Sequence, residues 1–230
     1  DGETNLVDVL GIEDDITAAL SRKVWLKSGA YLVIDQTEAL VSIDVNTGKN
    51  VGKASLRKTI AETNCEAAVE IARQLRLRDL SGIIIIDFID MEEKEDKETV
   101  LATLREALRG DRMRSVILGM TELGFVELTR KKLRANLADT LQTTCPYCKG
   151  SGKVLNAETV ALKIRSALIA RVSEGAGAQQ RFTVAASPTV ATLLREHSRE
   201  ELRQAFPGVT LEIVSDESMH LEHFSIRTQA

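Results

Sequence analysis

Gly82-Ile83-Ile84-Ile85-Ile86-Asp87-Phe88-Ile89-Asp90 is the stretch that decides the fold of this 230-residue chain. Four consecutive isoleucines predict a short β-strand that is buried on both faces, as in a sheet covered by helices. A long helical pattern over about residues 55–79 precedes this strand, and a charged loop with an amphipathic helix ending near Gly110 follows it. The stretch therefore predicts the central strand of an α/β domain, with the Asp87 carboxylate at its end.

Shorter alternating segments on both sides supply the rest of the predicted sheet. Three of them, residues 23–27, 30–36 and 38–45, are separated by turn residues and predict an antiparallel meander. SVILGM and FVELT, which start at Ser115 and Phe125, predict two further strands. A short amphipathic helix is expected before the meander, over Ile12 to Leu20, and a basic helix is expected after the last strand, from Arg130 to about Leu141.

The remaining residues predict a separate small α+β domain. A Gly-rich segment, TTCPYCKGSGKV, leads into a helix over about residues 157–172. This helix is followed by a Gly-rich break and then by a predicted strand, RFTVAAS. A helix over about residues 188–206 comes next, and two more predicted strands, VTLEIV and HFSIR, end the chain.

The composition is that of a soluble globular protein, with 43% hydrophobic and 28% charged residues. A net charge of −4 excludes a global basic signature of nucleic-acid binding, and 3% aromatic residues argue against a broad base-stacking platform. Apolar runs are too short for a transmembrane span and no secretory signal opens the chain, so we expect a cytoplasmic protein. Because the sequence begins at Asp1 without Met, we expect it to be part of a longer protein.

Two aspartates end neighbouring strand patterns and are candidate metal ligands. Asp44 lies near the end of VSIDVNTGKN, and Asp87 ends the isoleucine strand. Carboxylates from adjacent strands can share one Mg²⁺, which binds few carboxylates together with waters and substrate phosphate. Asn46 lies two residues after Asp44, on the same face of a strand, where it can orient the carboxylate. The alternative is that all three side chains only cap or brace turns.

A basic segment within the acidic chain is a candidate phosphate-binding surface. Residues 105–134 carry eight basic side chains against four acidic ones. Arg112 and Arg114 precede a predicted strand, and Arg130 to Arg134 begin the predicted basic helix, so their guanidinium groups can contact phosphates. A solvated helix face without a ligand is the alternative.

Cys145 and Cys148 form a Cys-x-x-Cys followed by Gly-x-Gly, which is half of a zinc ribbon. A structural zinc needs four ligands, and His197, His220 and His223 lie far away in the sequence. The simplest closure is the same Cys pair from a second chain. A redox-active dithiol is the competing interpretation, although the thioredoxin-type βαβ context is expected to be missing.

Four segments together resemble the catalytic region of the RNase E/G family of bacterial endoribonucleases: ALVSIDVNTGK, ETNCEAAVEIARQLRLRDLSGIIIIDFIDM, REALRGDRMR and CPYCKGSGKV. The resemblance implies a tail of an RNase H-like subdomain over residues 1–20 and a deoxyribonuclease-I-like, mixed-sheet catalytic subdomain over 21–142. It further implies a CxxC zinc-link over 143–156 and a small α+β C-terminal domain over 157–230.

The same resemblance implies roles for individual residues. Asp44 and Asp87 match the two magnesium-binding aspartates of the family, Asn46 matches the polar residue that assists them, and Arg114 matches an arginine near bound RNA. Arg112 and Lys49 are further RNA-binding candidates. Cys145 and Cys148 match the pair that shares one zinc between two protomers, which implies a homodimer or a higher oligomer.

The implied function is Mg²⁺-dependent cleavage of single-stranded, AU-rich RNA in RNA processing and decay, leaving a 5′-phosphate on the downstream product. Family members place an OB-fold RNA-binding domain, a 5′-end sensor and most of the RNase H-like subdomain ahead of this region, so substrate grip and 5′-end sensing do not carry over to this chain. Two alternatives are a zinc-linked scaffold that is inactive alone and a metal-dependent DNA nuclease or phosphatase. Membrane attachment, if any, is expected to be peripheral and through other segments.

Overall fold

A computed structural model describes residues 9–48, 56–174, 180–198 and 208–229. The chain divides into two compact units, Asp1–Thr143 and Thr144–Ala230. None of the helices in the described ranges is both long and apolar enough to cross a bilayer.

The first unit contains four helices and six strands among its described residues. The helices are α1 (Ile12–Leu20), α2 (Leu56–Leu77), α3 (Lys94–Leu108) and α4 (Leu137–Leu141). The strands are β1 (Lys23–Trp25), β2 (Tyr31–Gln36), β3 (Leu40–Asn46), β4 (Gly82–Asp87), β5 (Ser115–Met120) and β6 (Phe125–Arg130). These bounds confirm the predicted meander, the isoleucine strand and the helices on either side of it.

The six strands form one mixed sheet in the order β1-β2-β3-β4-β6-β5. β3 and β4 pair in parallel because α2 provides the crossover between them, and every other neighbouring pair is antiparallel. β3 and β4 are thus central strands that run in the same direction and end at the same edge of the sheet.

Among the described residues of the first unit, helices cover only one face of this sheet, so the expectation that the isoleucine strand is buried on both faces is wrong. Ile84 and Ile86 are fully buried, whereas Ile83 is 52% exposed and Ile85 is half-buried. Each fully buried isoleucine contributes about 1.5–3 kcal/mol to stability. The helical side of the core comes from α2 and α3: Ala67, Ala68, Ile71, Ala72, Leu75, Val100, Leu104 and Leu108. We call the opposite side of the sheet the uncovered face.

The turn after β3 requires a glycine. Gly48 has a φ of 65°, and a Cβ there would lie 2.3 Å from the carbonyl oxygen of Gly29 in the turn between β1 and β2. That β1–β2 turn is also fixed from the helical side, because the Glu66 carboxylate accepts hydrogen bonds from the backbone N–H groups of Lys27 and Ser28. Local sequence chemistry therefore holds the end of β3 in place.

Arg130 is not part of a basic helix, so the predicted helix from Arg130 to about Leu141 is wrong over its first part. β6 extends through Arg130, and the following helix, α4, begins only at Leu137. The Arg130 side chain is 3% exposed and donates to Asp111 and Asp79. A buried guanidinium needs such carboxylate partners, and they hold it away from solvent phosphates.

The second unit is a small α+β domain. Its elements are α5 (Ala157–Glu174), β7 (Gln180–Ala186), α6 (Pro188–Leu193), a π-helical turn (Leu194–Ser198), β8 (Val209–Ser215) and β9 (Phe224–Gln229). The strands form a sheet in the order β8-β7-β9, with β7 and β8 parallel. Phe182, Val184, Ile164, Val190 and Leu194 are among its buried core residues. The predicted helix over 188–206 is confirmed up to Ser198, and its remainder lies outside the described residues.

Candidate functional site

The two candidate aspartates lie side by side on the uncovered face. The parallel register of β3 and β4 pairs Asp44 directly with Asp87, and both residues are exposed. Residues opposite each other on neighbouring strands point to the same face, and neighbouring strands are about 4.8 Å apart. Two carboxylates are thereby presented together at one edge of the sheet.

Asn46 belongs to the same group of side chains. It lies two residues after Asp44 on β3, and its Nδ2 donates a hydrogen bond of 2.7 Å to the Asp44 Oδ2. This contact orients the Asp44 carboxylate through one of its two oxygens. The interpretation of Asn46 as a turn residue only does not account for this contact.

Electrostatics at the pair favour a cation. Partial loss of water around its carboxyl group raises the pKa of Asp87 above the ordinary aspartate value, and the negative charges of Asp44 and Asp90 raise it further. The folded protein therefore holds like charges close together at a cost in free energy. A cation bound between them would offset this repulsion.

The described residues fit a hard divalent cation with few protein ligands. Among them, no three side chains of His, Cys, Asp or Glu are placed to hold one ion together. Mg²⁺ is commonly bound through one or two carboxylates, with waters and substrate phosphates completing its six positions. Asp44 and Asp87 match that donor set, whereas the four-ligand cage of a structural zinc site is not found among the described residues.

A buried asparagine that the sequence did not indicate fixes the segment after Asp87. Asn64 on α2 is fully buried, and its side chain accepts from the Ile89 N–H at 3.0 Å and donates to the Ile89 carbonyl at 2.8 Å. Both polar groups of the Ile89 backbone are thereby paired two residues beyond Asp87. The only signal in the sequence is a polar residue on the apolar face of α2.

The basic candidates lie away from the carboxylates. Arg112 and Arg114 are exposed just before β5, whose first residue shares a row with Gly82, at the opposite end of β4 from Asp87. Strand rise and spacing place Arg114 about 20 Å from Asp87. Asp111 accepts from the Met113 N–H and so shapes this turn. Lys49 lies outside the described residues.

Cys145 and Cys148 lie in a tight turn of the second unit. Hydrogen bonds from the Cys148 and Tyr147 backbone N–H groups, and from the Cys148 side chain, lower the pKa of the Cys145 thiol. A lowered thiol pKa favours the thiolate, which is the form that binds zinc and also the form that is redox-active.

His220 lies beside this turn although it is far away in the sequence. Its Nε2 donates to the Tyr147 carbonyl at 2.6 Å, its Nδ1 accepts from the Glu222 N–H, and its ring lies 3.9 Å from that of Tyr147 between centroids. His223 stacks on His220 in turn. Both His220 nitrogens are thus engaged, and the ring braces the turn instead of completing a metal site.

Comparison with known proteins places these features in a family. The sequence profile described as "Ribonuclease E/G family" matches residues 1–133, which is more than half of the chain. The chain belongs to the Ribonuclease E/G family. A second profile, "RNase E/G, Thioredoxin-like domain", matches residues 144–229, so the family assignment extends through the second unit.

Individual relatives agree with the family assignment. The chain is 43% identical to Ribonuclease G of Escherichia coli K12 over 228 residues, which cover 98% of the chain and 46% of that relative. It is 38% identical to Ribonuclease E of the same strain over 98% of the chain and 21% of the relative. Ribonuclease E of Nostoc is 48% identical over 64% of the chain and 21% of the relative. The chain thus spans about half the length of the ribonuclease G relatives it matches.

The thioredoxin-like description corrects one expectation from the sequence. A βαβ unit is present in the second unit, where α6 connects the parallel strands β7 and β8. Cys145 and Cys148 nevertheless precede α5 and this βαβ unit in the chain, and they lie 39 residues or more before the β7–α6 connection at Ser187. The cysteine pair is therefore not at the strand-to-helix turn of the βαβ unit.

Proposed function

We propose that this chain is the catalytic part of a cytoplasmic Mg²⁺-dependent endoribonuclease that cleaves single-stranded RNA. The observation that carries the proposal is the pairing of Asp44 with Asp87 on the uncovered face of a mixed sheet. Family membership supports RNA as the substrate, because the relatives are named ribonucleases. The mixed sheet with helices on one face supports a deoxyribonuclease-I-like catalytic subdomain.

Asp44 and Asp87 would hold the Mg²⁺, and Asn46 keeps the Asp44 carboxylate turned for binding. When bound, the ion would make a water more acidic and stabilise negative charge on a phosphodiester. Asn64 keeps the segment after Asp87 in one conformation, which preserves the spacing of the two carboxylates.

A histidine base is not part of this proposal. All three histidines of the chain, at positions 197, 220 and 223, belong to the second unit. Within the first unit, carboxylate and amide groups on the uncovered face would orient the attacking water. Hydrolysis with water as the nucleophile is expected to leave a 5′-phosphate on the downstream RNA product.

Arg112 and Arg114 are proposed to bind phosphates distant from the scissile one. Their separation of about 20 Å from Asp87 excludes direct contact with the reacting phosphate. The same separation suits contact with a more distant phosphate of a single RNA strand that runs along the sheet. They have exposed guanidinium groups, which suit phosphate geometry. The preference for AU-rich sites in RNA processing and decay is proposed from the family alone.

Cys145 and Cys148 are proposed to share one Zn²⁺ with the same pair of a second chain. The observations that support this are the thiolate-favouring turn and the lack of a third described His, Cys, Asp or Glu ligand beside it. Four thiolates from two chains would complete a tetrahedral site and link a homodimer.

The alternative is a zinc-linked scaffold that needs further segments for cleavage. The observation that favours it is coverage, since the chain matches only 46% of the length of E. coli Ribonuclease G. The two functions make different predictions for the isolated chain.

Incubation of the purified 230-residue chain with 5′-labelled single-stranded RNA, with and without Mg²⁺, distinguishes them, and Ribonuclease G serves as the positive control. Mg²⁺-dependent internal cuts support the enzyme. An inactive chain that restores cleavage when fused behind the first half of Ribonuclease G supports the alternative. Preference for duplex DNA or for small phosphoesters would contradict both.

A further inference from the structure

Two aromatic side chains lie on the uncovered face beside the carboxylates. Trp25, the only tryptophan of the chain, is 64% exposed, and its ring packs edge-on against Tyr31 with 5.2 Å between centroids. Lys23 completes the group, because its Nζ lies 3.9 Å from the Trp25 ring centroid and 3.5 Å from that of Tyr31. We call these three residues the aromatic group.

Strand pairing connects the aromatic group to the aspartates. Trp25 pairs with Tyr31 across β1 and β2, and Tyr31 pairs with Asn46 across β2 and β3. In the adjacent row, Lys23 pairs with Val33, which pairs with Asp44. Paired residues share a face of the sheet, so the two rows lead directly from the aromatic group to the carboxylates.

The separation suits neighbouring nucleotides of one RNA strand. Trp25 lies two strands from β3, and strand spacing with strand rise puts its Cα about 12 Å from that of Asp44. A few nucleotides of extended single strand cover this distance. Arg114 immediately precedes β5, the edge strand opposite β1. A single RNA strand that crosses the sheet from β1 would therefore pass the aromatic group and then the aspartates before it reaches the edge that carries Arg114.

We propose that Lys23, Trp25 and Tyr31 form a subsite that stacks a base of single-stranded RNA next to the scissile phosphate. Exposed aromatic rings provide stacking surfaces for any base, and a lysine over them adds a positive charge for the backbone phosphate. This proposal rests on the proposed function. It also supplies a specific RNA contact in a chain that is only 3% aromatic, because two of its few aromatic residues meet at the site.

The single tryptophan makes the subsite directly measurable. The purified chain is titrated in EDTA with a single-stranded RNA oligonucleotide, so that no cleavage occurs, while the Trp25 emission and the anisotropy of a labelled RNA are recorded. We expect the RNA to quench Trp25. We also expect Trp25→Ala to weaken binding from about 5-fold to about 150-fold, the range for loss of one base–aromatic stack.

Matched variants separate stacking from general loss of apolar surface or charge. Leu118→Ala removes a side chain that is equally exposed, at 65%, on the opposite edge strand of the sheet, and should leave RNA affinity unchanged. Lys23→Ala should reduce the slope of log affinity against log salt by about 0.7, the value for one single-strand phosphate contact. Inorganic polyphosphate should not quench Trp25.

Several outcomes would overturn the subsite. They are equal RNA affinity in Trp25→Ala and Leu118→Ala, absence of quenching on RNA binding, or a Trp25 emission that changes with protein concentration without RNA, which would indicate an interface between copies. The Asp44→Asn variant keeps the two hypotheses apart. Quenching in Asp44→Asn together with no cleavage by any form of the chain refutes the proposed catalysis and supports the subsite. RNA cleavage by the parent chain, together with an unchanged RNA affinity in Trp25→Ala, refutes the subsite and supports the proposed catalysis.

Discussion

Replacing Asn64 by leucine should both destabilise the fold and weaken cation binding. Asn64 is fully buried and pairs with both backbone polar groups of Ile89, at 2.8 and 3.0 Å. Leucine has a similar size, so the change removes the hydrogen bonds with little change in packing. It leaves the Ile89 N–H and carbonyl without their partner.

The expected loss in the free energy of unfolding is about 1–3 kcal/mol, because Ile89 is half-buried and regains part of its hydrogen bonding from water. For a chain of this size each kcal/mol shifts Tm by about 2–4 °C, so Tm should fall by about 2–12 °C. Far-ultraviolet circular dichroism during heating measures it. Glu62→Ala, on the same helix with a side chain 68% exposed, should change stability by less than about 0.5 kcal/mol.

Cation affinity gives the second readout. At a temperature below the unfolding transition of the Asn64→Leu variant, the segment after Asp87 should be less fixed, so Mn²⁺ or Mg²⁺ should bind more weakly than to the Glu62→Ala control. A Tm equal to that of the control would refute the hydrogen-bonding role of Asn64. A lower Tm with unchanged cation affinity would refute its role in positioning Asp87.

Three further predictions concern the buried ion pairs and the cysteines. Arg130→Ala should lower the free energy of unfolding, measured by chemical denaturation, by about 3–5 kcal/mol, because it leaves the buried Asp111 without its partner. Arg109→Ala, at an exposed ion pair, should lower it by less than about 1 kcal/mol. Similar losses in the two variants would contradict the burial argument. Burial raises the pKa of Asp111, but its bonds to Arg130, the Met113 N–H and Ser115 outweigh this and lower it. The ionised Asp111 carboxyl therefore contributes its whole stabilising free energy above its unfolded pKa of about 3.9, and this contribution is lost as the pH falls through the lower folded pKa. Asp111→Asn should lose less stability than the parent chain as the pH falls from about 3.9 through that folded pKa. Zinc analysis should find about half an equivalent of zinc per chain, and the molecular mass in solution should be that of a dimer, which Cys148→Ser should convert to a monomer. One zinc per monomer would refute the shared site.

The sequence allowed the strands and the paired aspartates to be predicted, but not the coverage of the sheet. Asp44 and Asp87 each end an alternating or apolar run, so their position follows from local pattern alone. A run of four isoleucines does not reveal whether helices cover one face of the strand or both, because this depends on how distant elements pack on the sheet. Ile83 is exposed because its side chain lies on the uncovered face.

Other features depend on contacts between residues distant in the sequence. Asn64 meets Ile89 across 25 positions, and Arg130 meets Asp79 across 51, so neither partnership has a local signature. The aromatic group depends on the register of β1 with β2. A basic pattern after β6 favoured a helix, yet burial with two carboxylates kept Arg130 in the strand.

The rate of RNA cleavage by Asp44→Asn tests the central claim most directly. Glu127→Gln is the matched control, since it also removes one negative charge from the uncovered face without touching the aspartate pair. With Mg²⁺ and single-stranded RNA, in whichever form of the protein is active, Asp44→Asn should lose more than about 100-fold in rate, while Glu127→Gln retains activity. The Tm of Asp44→Asn should be no lower than that of the parent chain, because the substitution removes the repulsion between Asp44 and Asp87. Cleavage by Asp44→Asn at the rate of the Glu127→Gln control would contradict the assignment of Asp44 and Asp87 as the cation site.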